Sequence, residues 1–183
     1  MADKVKFGLQ DVHISARTVS EQGDVTYATP VAWEGAVALT LSKTKNKATF
    51  RADNRNFVTR FIAAAREGTL EMANIPDWFK TAYLGYKLDS NGKLVETDAQ
   101  GGEFAILYRV ETDTDHKMYC IYNVIAAESN EEHRTTEEND LGIQTSTLDL
   151  SMTGEVVDGY ACYCVEVDSL TTAPEVPTFP ASN

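Results

Sequence analysis

The chain has 183 residues, 43% hydrophobic and 24% charged, the balance of one globular domain rather than of a disordered or membrane-spanning chain. No run reaches the roughly 18 apolar residues of a spanning helix, and residues 1–12 hold no apolar stretch of secretory-signal type, so the expectation is a chain kept in a cytoplasm. Sixteen Lys and Arg stand against 28 Asp and Glu, and the net charge of −12 disfavours tight binding to a phosphate backbone.

Alternation with period two dominates. Residues 25–28 give the first strand, and Val37, Leu39 and Leu41, alternating with Ala38 and Thr40, give the next. Residues 42–46 (SKTKN) read as a polar loop, with Lys43, Lys45 and Lys47 alternating, that leads into a strand over 47–52. Residues 57–66 combine helix-forming alanines with aromatic and branched residues and are read as a strand, followed by another over 69–73. Pro76 and Asp77 precede Trp78-Phe79-Lys80-Thr81-Ala82-Tyr83-Leu84, and Gly85 follows. This predicts a helix whose first-turn carboxylate meets free N–H groups and whose apolar stripe of Trp78, Phe79, Ala82 and Tyr83 docks on the core.

Asp89-Ser90-Asn91-Gly92 is a tight hairpin turn, and 104–124 reads as a second hairpin about Asp113-Thr114-Asp115. Phe104, Ile106, Tyr108 and Val110 share one face of its first strand; Met118, Cys120, Tyr122 and Val124 share one face of its second. Residues 129–142 form a long polar loop made acidic by Glu131, Glu132, Glu137, Glu138 and Asp140. Strands over 144–152 and 160–167 follow, the latter placing Cys162 and Cys164 on one side as small buried hydrophobes. The predicted fold is mainly β: two packed antiparallel sheets, sandwich or barrel-like, with one flanking α-helix. Residues 1–172 make a single β domain, and 173–183, with Pro174, Pro177 and Pro180, an extended tail.

Little in the sequence points to catalysis. His13, His116 and His133 lack metal-site spacing, and Cys120, Cys162 and Cys164 lack the paired spacings of zinc or disulfide frameworks. The phosphate cradles GxxxxGK and GxGxxG are absent, as is the GxSxG elbow. Glu111, Asp113 and Asp115 lack the glycine and glutamate positions of an EF-hand and read as a solvated turn. The expectation is a protein that is not an enzyme and that takes no cofactor or metal. Lys43, Lys45 and Lys47 suit either an edge-protecting set or a contact to acidic loops of a neighbour, and the acidic loop suits either solvent or a partner. Trp33, Tyr83 and Tyr86 would form the platform of an alternative, a monomeric sandwich module that binds carbohydrate.

Read in order, several segments resemble one family. They are Val25-Thr26-Tyr27; Gly35-Ala36-Val37-Ala38-Leu39-Thr40-Leu41; Phe50-Arg51-Ala52-Asp53-Asn54; Leu70-Glu71-Met72-Ala73-Asn74-Ile75-Pro76-Asp77-Trp78-Phe79; and Leu84-Gly85. Asp89-Ser90-Asn91-Gly92, Glu103-Phe104-Ala105-Ile106-Leu107-Tyr108, Tyr122-Asn123 and Gln144-Thr145-Ser146-Thr147-Leu148 continue the series. From about residue 7 to 152 the chain resembles the major tail proteins of long, non-contractile-tailed bacteriophages of Gram-positive hosts, and departs from their small-residue turn at 63–68.

The resemblance implies a virion structural protein, assembled in the host cytoplasm. Six subunits would join their inner sheets into a ring, and rings would stack into a tube that delivers DNA. Its partners would be further copies of itself and the tape-measure, tail-tip initiator and tail-terminator proteins. DNA would pass transiently along a repulsive lumen, with no membrane contact. By position, the family's inter-ring loop falls at 42–49, with Lys43, Thr44, Lys45, Asn46 and Lys47. Glu131, Glu132, Glu137, Glu138 and Asp140 would serve a subunit contact or the lumen.

Overall fold

A computed structural model describes residues 6–43, 45–52, 55–63, 66–129 and 144–180. Its elements are β1 (Lys6–Val19), β2 (Val25–Tyr27), β3 (Val31–Ala32), β4 (Ala36–Ser42), β5 (Lys45–Ala52), β6 (Arg55–Ala63), β7 (Arg66–Met72) and α1 (Asp77–Tyr83). There follow β8 (Lys87–Leu88), β9 (Leu94–Val95), β10 (Phe104–Thr112), β11 (His116–Glu128), β12 (Ser146–Met152), β13 (Glu155–Val157), β14 (Tyr160–Cys162) and β15 (Cys164–Val167). Among the described residues the protein is mainly β with one helix. Nine strands form an antiparallel sheet along the path β2-β1-β10-β11-β12-β7-β4, with β3 added to β1 and β15 to β11. β5–β6, β8–β9 and β13–β14 are separate two-stranded ribbons. The large sheet curls until β4 runs near β1, but it does not close into a barrel.

Both faces of this sheet are buried, which is why β10 reads as a nearly unbroken apolar run. Phe104, Ile106 and Tyr108 point inward with Val12, Ile14, Leu70, Met72, Ile121 and Leu148, whereas Ala105 and Leu107 point outward with Cys120 and Tyr122. Residues 173–180 form no strand, yet they are seated on this outer face. Val176 packs there, Pro174 is buried, and the Tyr122 hydroxyl donates to the Glu175 carbonyl at 2.6 Å.

Two departures from strict alternation have backbone causes. In β11 the register steps from Ile106↔Ile121 to Phe104↔Val124, one residue more on β11 than on β10, with Asn123 at φ 48°. That bulge moves Val124 to the inner face, against the expectation that it follows Cys120 and Tyr122. β1 was not predicted at all. Gly8 (φ 70°) and Asp11 (φ 51°) sit at two register shifts against β10, and each breaks the period that would reveal a strand.

The helix forms where predicted, with two corrections. Pro76 is its N-cap and no side chain caps it, so Asp77 acts only through its charge in the first turn. Phe79 and Tyr83 are buried, while Trp78 and Ala82 lie outward, so the stripe is narrower than the sequence suggests. Seven residues are too few for a helix to persist alone. Phe79 contacts Trp33, Tyr83 and Phe104, and full burial of such a ring contributes about 1.5–3 kcal/mol.

The predicted hairpins at Asn91-Gly92 and Asp113-Thr114-Asp115 are present as β8–β9 and β10–β11. The predicted strand over 160–167 is broken at Tyr163. Cys162 is half-buried in β14 and Cys164 is exposed at the start of β15, so the pair does not form a buried thiol face.

Candidate functional site

Part of the segment read as a lysine loop is strand. Lys45, Asn46 and Lys47 belong to β5, which pairs with β6 in the register Lys45↔Ala63, Lys47↔Phe61 and Phe50↔Val58. β4 and β7, which precede β5 and follow β6 in sequence, pair from Ser42↔Glu67 to Ala36↔Met72. The same two segments of chain thus pair twice, as β4 with β7 and as β5 with β6. β4 and β7 belong to the large sheet, and the β5–β6 ribbon hydrogen-bonds to no other strand among the described residues. Branched and aromatic residues over 57–62 sustain the strand, in agreement with the strand reading of that segment. Lys43 is exposed at the junction. Thr44 lies outside the described residues, as do Glu131, Glu132, Glu137, Glu138 and Asp140.

Charge is sorted along this part of the chain. Residues 43–66 carry seven of the sixteen cations, Lys43, Lys45, Lys47, Arg51, Arg55, Arg60 and Arg66, against one carboxylate, Asp53, a net +6. The remaining nine cations face 27 carboxylates, so the rest of the chain is −18. The three lysines are thus the start of a longer cationic run, contiguous in sequence, which the pairing of β5 with β6 gathers onto one ribbon.

At the root of the ribbon the inner face of the curled sheet is left unfilled. A cleft of about 440 Å³ is walled by Leu9, Leu39, Leu41, Val110, Tyr119 and Tyr163, with Ser42, Lys43 and Arg66 where β4 and β7 leave the sheet. The Arg66 guanidinium lies 4.1 Å from the centre of the Tyr163 ring.

A second polar site, on the opposite side of β1, was not read from sequence. Arg17 Nε donates to Glu155 Oε1 at 2.5 Å and Nη2 to Oε2 at 3.1 Å, while Nη1 bridges to Glu103. The Tyr27 hydroxyl donates to Glu155 Oε1 at 2.6 Å and accepts from the Asn123 backbone N–H at 3.3 Å. Asn123 Nδ2 donates to the Gly154 carbonyl at 3.2 Å, which ties the bulge to the start of β13. The hydrogen bond to Glu155 raises the Arg17 pKa further above its ordinary value, and burial, followed by the same carboxylate, raises that of Tyr27. A buried, fork-shaped pair of this kind joins strands far apart in sequence. Through Glu155 it ties β13 to β1 and β2.

The remaining predicted residues disperse. Trp33 and Tyr83 are buried against Phe79, and the Tyr86 hydroxyl donates to Glu128 at 2.8 Å, so the three rings form no solvent-facing platform. Asp115 pairs with His116 at 3.0 Å, and the Asp115 carbonyl accepts from Thr112, contacts that close a turn. Burial pushes the Cys120 thiol up to about 12, which leaves it a packed hydrophobe. No family model matches the chain, and no curated protein matches it either.

Proposed function

We propose that this chain is a structural subunit that joins copies of itself into hexameric rings, which stack into the tail tube of a long-tailed phage. The observation that carries the reading is the cationic ribbon on an acidic body. A +6 segment whose ribbon pairs with no other strand among the described residues complements the −18 remainder of another copy. Contact between two different surfaces is heterologous and propagates into rings or filaments rather than closing as a dimer.

The large sheet supplies a second contact. β4 ends the sheet and pairs on one side only among the described residues, its sequence AVALTLS holds no charge or proline, and Val37 is 51% exposed. Such an edge is unprotected against pairing with another chain, and ring closure would cover it. The hexamer and the tube come from the family resemblance; the acidic body fits a wall past which DNA slides. The carbohydrate-module alternative loses its platform with the burial of Trp33 and Tyr83.

The test is negative-stain electron microscopy with light scattering, on protein concentrated alone and with tail-tip initiator proteins. Rings or tubes in low salt, lost when Lys45, Lys47, Arg51 and Arg55 are changed to Glu, are expected. A monomer under every condition, initiator included, would sink the reading.

A further inference from the structure

The cleft at the root of the ribbon has chemistry that assembly does not use. Leu9, Leu39, Leu41, Val110, Tyr119 and Tyr163 all pack against the main core, yet each stays only partly buried, because the curled sheet leaves its inner face unfilled at this end. Ile121 and Met152, both buried, lie behind them. About 440 Å³ with an apolar lining falls within the size range of small-molecule sites.

The polar groups at the rim are of one sign. Lys43 and Arg66 make no ion pair among the described residues, in a chain with 28 carboxylates. Arg66 is steadied by the Tyr163 ring, so its charge is kept at the cleft without being neutralised. Tyr108 also lines the space, and its phenol is a neutral hydrogen-bonding group at neutral pH. A wholly apolar guest would leave these cations unused, and a cationic guest would be repelled.

We propose that the cleft binds a small amphipathic anion, an apolar chain bearing one carboxylate or comparable acid group. The chain lies against Leu39, Leu41, Val110 and Ile121, and the acid group meets Arg66 and Lys43. The site does not rest on the assembly reading.

The probe is anilinonaphthalene sulfonate, displaced in turn by decanoate, decanol and decyltrimethylammonium, with circular dichroism confirming the native fold. One saturable probe site is expected. Decanoate should displace it about tenfold or more better than decanol, the effect of one charge-assisted hydrogen bond. Arg66→Gln and, separately, Lys43→Gln should remove most of that preference while decanol affinity stays level. Leu39→Trp should fill the cleft and abolish both, and decanoate should slow alkylation of Cys164, which lies at the rim.

Absence of saturable probe binding, or equal displacement by all three compounds, overturns the proposal. So does a decanoate preference that survives both charge substitutions. If Cys164 becomes protected merely by raising the protein concentration, in step with light scattering, the occupant is a second copy and the small-anion site is wrong. Ring or tube formation in the same samples bears only on the assembly reading.

Discussion

The Tyr27 hydroxyl and the Glu155 carboxylate meet at 2.6 Å across 128 positions of sequence, and Arg17 completes the site from the neighbouring strand. Arg17 and Glu155 side chains are 10% and 7% exposed, so removing Glu155 leaves the buried guanidinium with only Glu103, 39% exposed, as a carboxylate partner among the described residues. Glu155→Leu should cost about 3–5 kcal/mol, measured by urea unfolding, and Arg17→Met with Glu155→Leu together much less. A double variant as unstable as the single would contradict this account.

Alkaline pH should unfold the protein sooner than ordinary tyrosines would. Burial raises the folded-state pKa of Tyr27, Tyr108, Tyr122 and Cys120 above the ordinary 10 and 9. A raised value means that the contribution is complete below the unfolded pKa and is lost as pH climbs toward the folded one. Stability should therefore hold to about pH 9 and then fall, by up to about 1.4 kcal/mol per pH unit for each such group. Tyrosinate absorbance of the native protein at pH 11 should report fewer than all eight tyrosines ionised. Full ionisation without loss of circular dichroism would refute it.

The three thiols should react in the order of their exposure. Cys164 is exposed, Cys162 half-buried and Cys120 fully buried, with its thiol pushed up to about 12. Iodoacetamide with peptide mass mapping should find Cys164 alkylated first, Cys162 next, and Cys120 only after denaturation.

Gly101 lets the loop before β10 lie against the end of α1. A Cβ at that position would sit 1.8 Å from the Tyr83 carbonyl oxygen, a backbone atom that cannot swing aside. Gly101→Ala should cost about 1–3 kcal/mol in thermal unfolding, with lost packing at Tyr83. Gly159→Ala, at an open turn but with φ 79°, tests strain without a clash and should cost less.

Among the described residues the ribbon hydrogen-bonds to no strand of the large sheet, so the body should fold without it. Replacing residues 44–65 by a short Gly-Ser turn should change the unfolding free energy by no more than about 1 kcal/mol and abolish any ring or tube. A variant that fails to fold would show that the ribbon supports the body.

Most strands were legible because their side chains alternate, and the helix because Pro76, Asp77 and Gly85 punctuate it. The hairpin β13–β14 is marked in the sequence by the dipeptide Asp158-Gly159, and in the structure both residues take positive φ. The lysine set was seen but misplaced, since SKTKN has the composition of a loop and only pairing with β6 shows Lys45, Asn46 and Lys47 as strand. Cys162 and Cys164 looked alike in sequence and parted when Tyr163 broke the strand.

The sequence by itself determined the class of structure: its period-two patterning commits apolar faces, and its turn residues fix where the chain reverses. It also determined the sign and distribution of charge, because those need no geometry. Tertiary structure alone decided which face each residue took beyond the bulges at Gly8, Asp11 and Asn123, since one inserted residue inverts every later side chain. It alone brought Arg17, Tyr27 and Glu155 together and left the cleft beneath the ribbon open. Contacts between residues more than a hundred positions apart depend on how the sheet curls, and no local pattern encodes that.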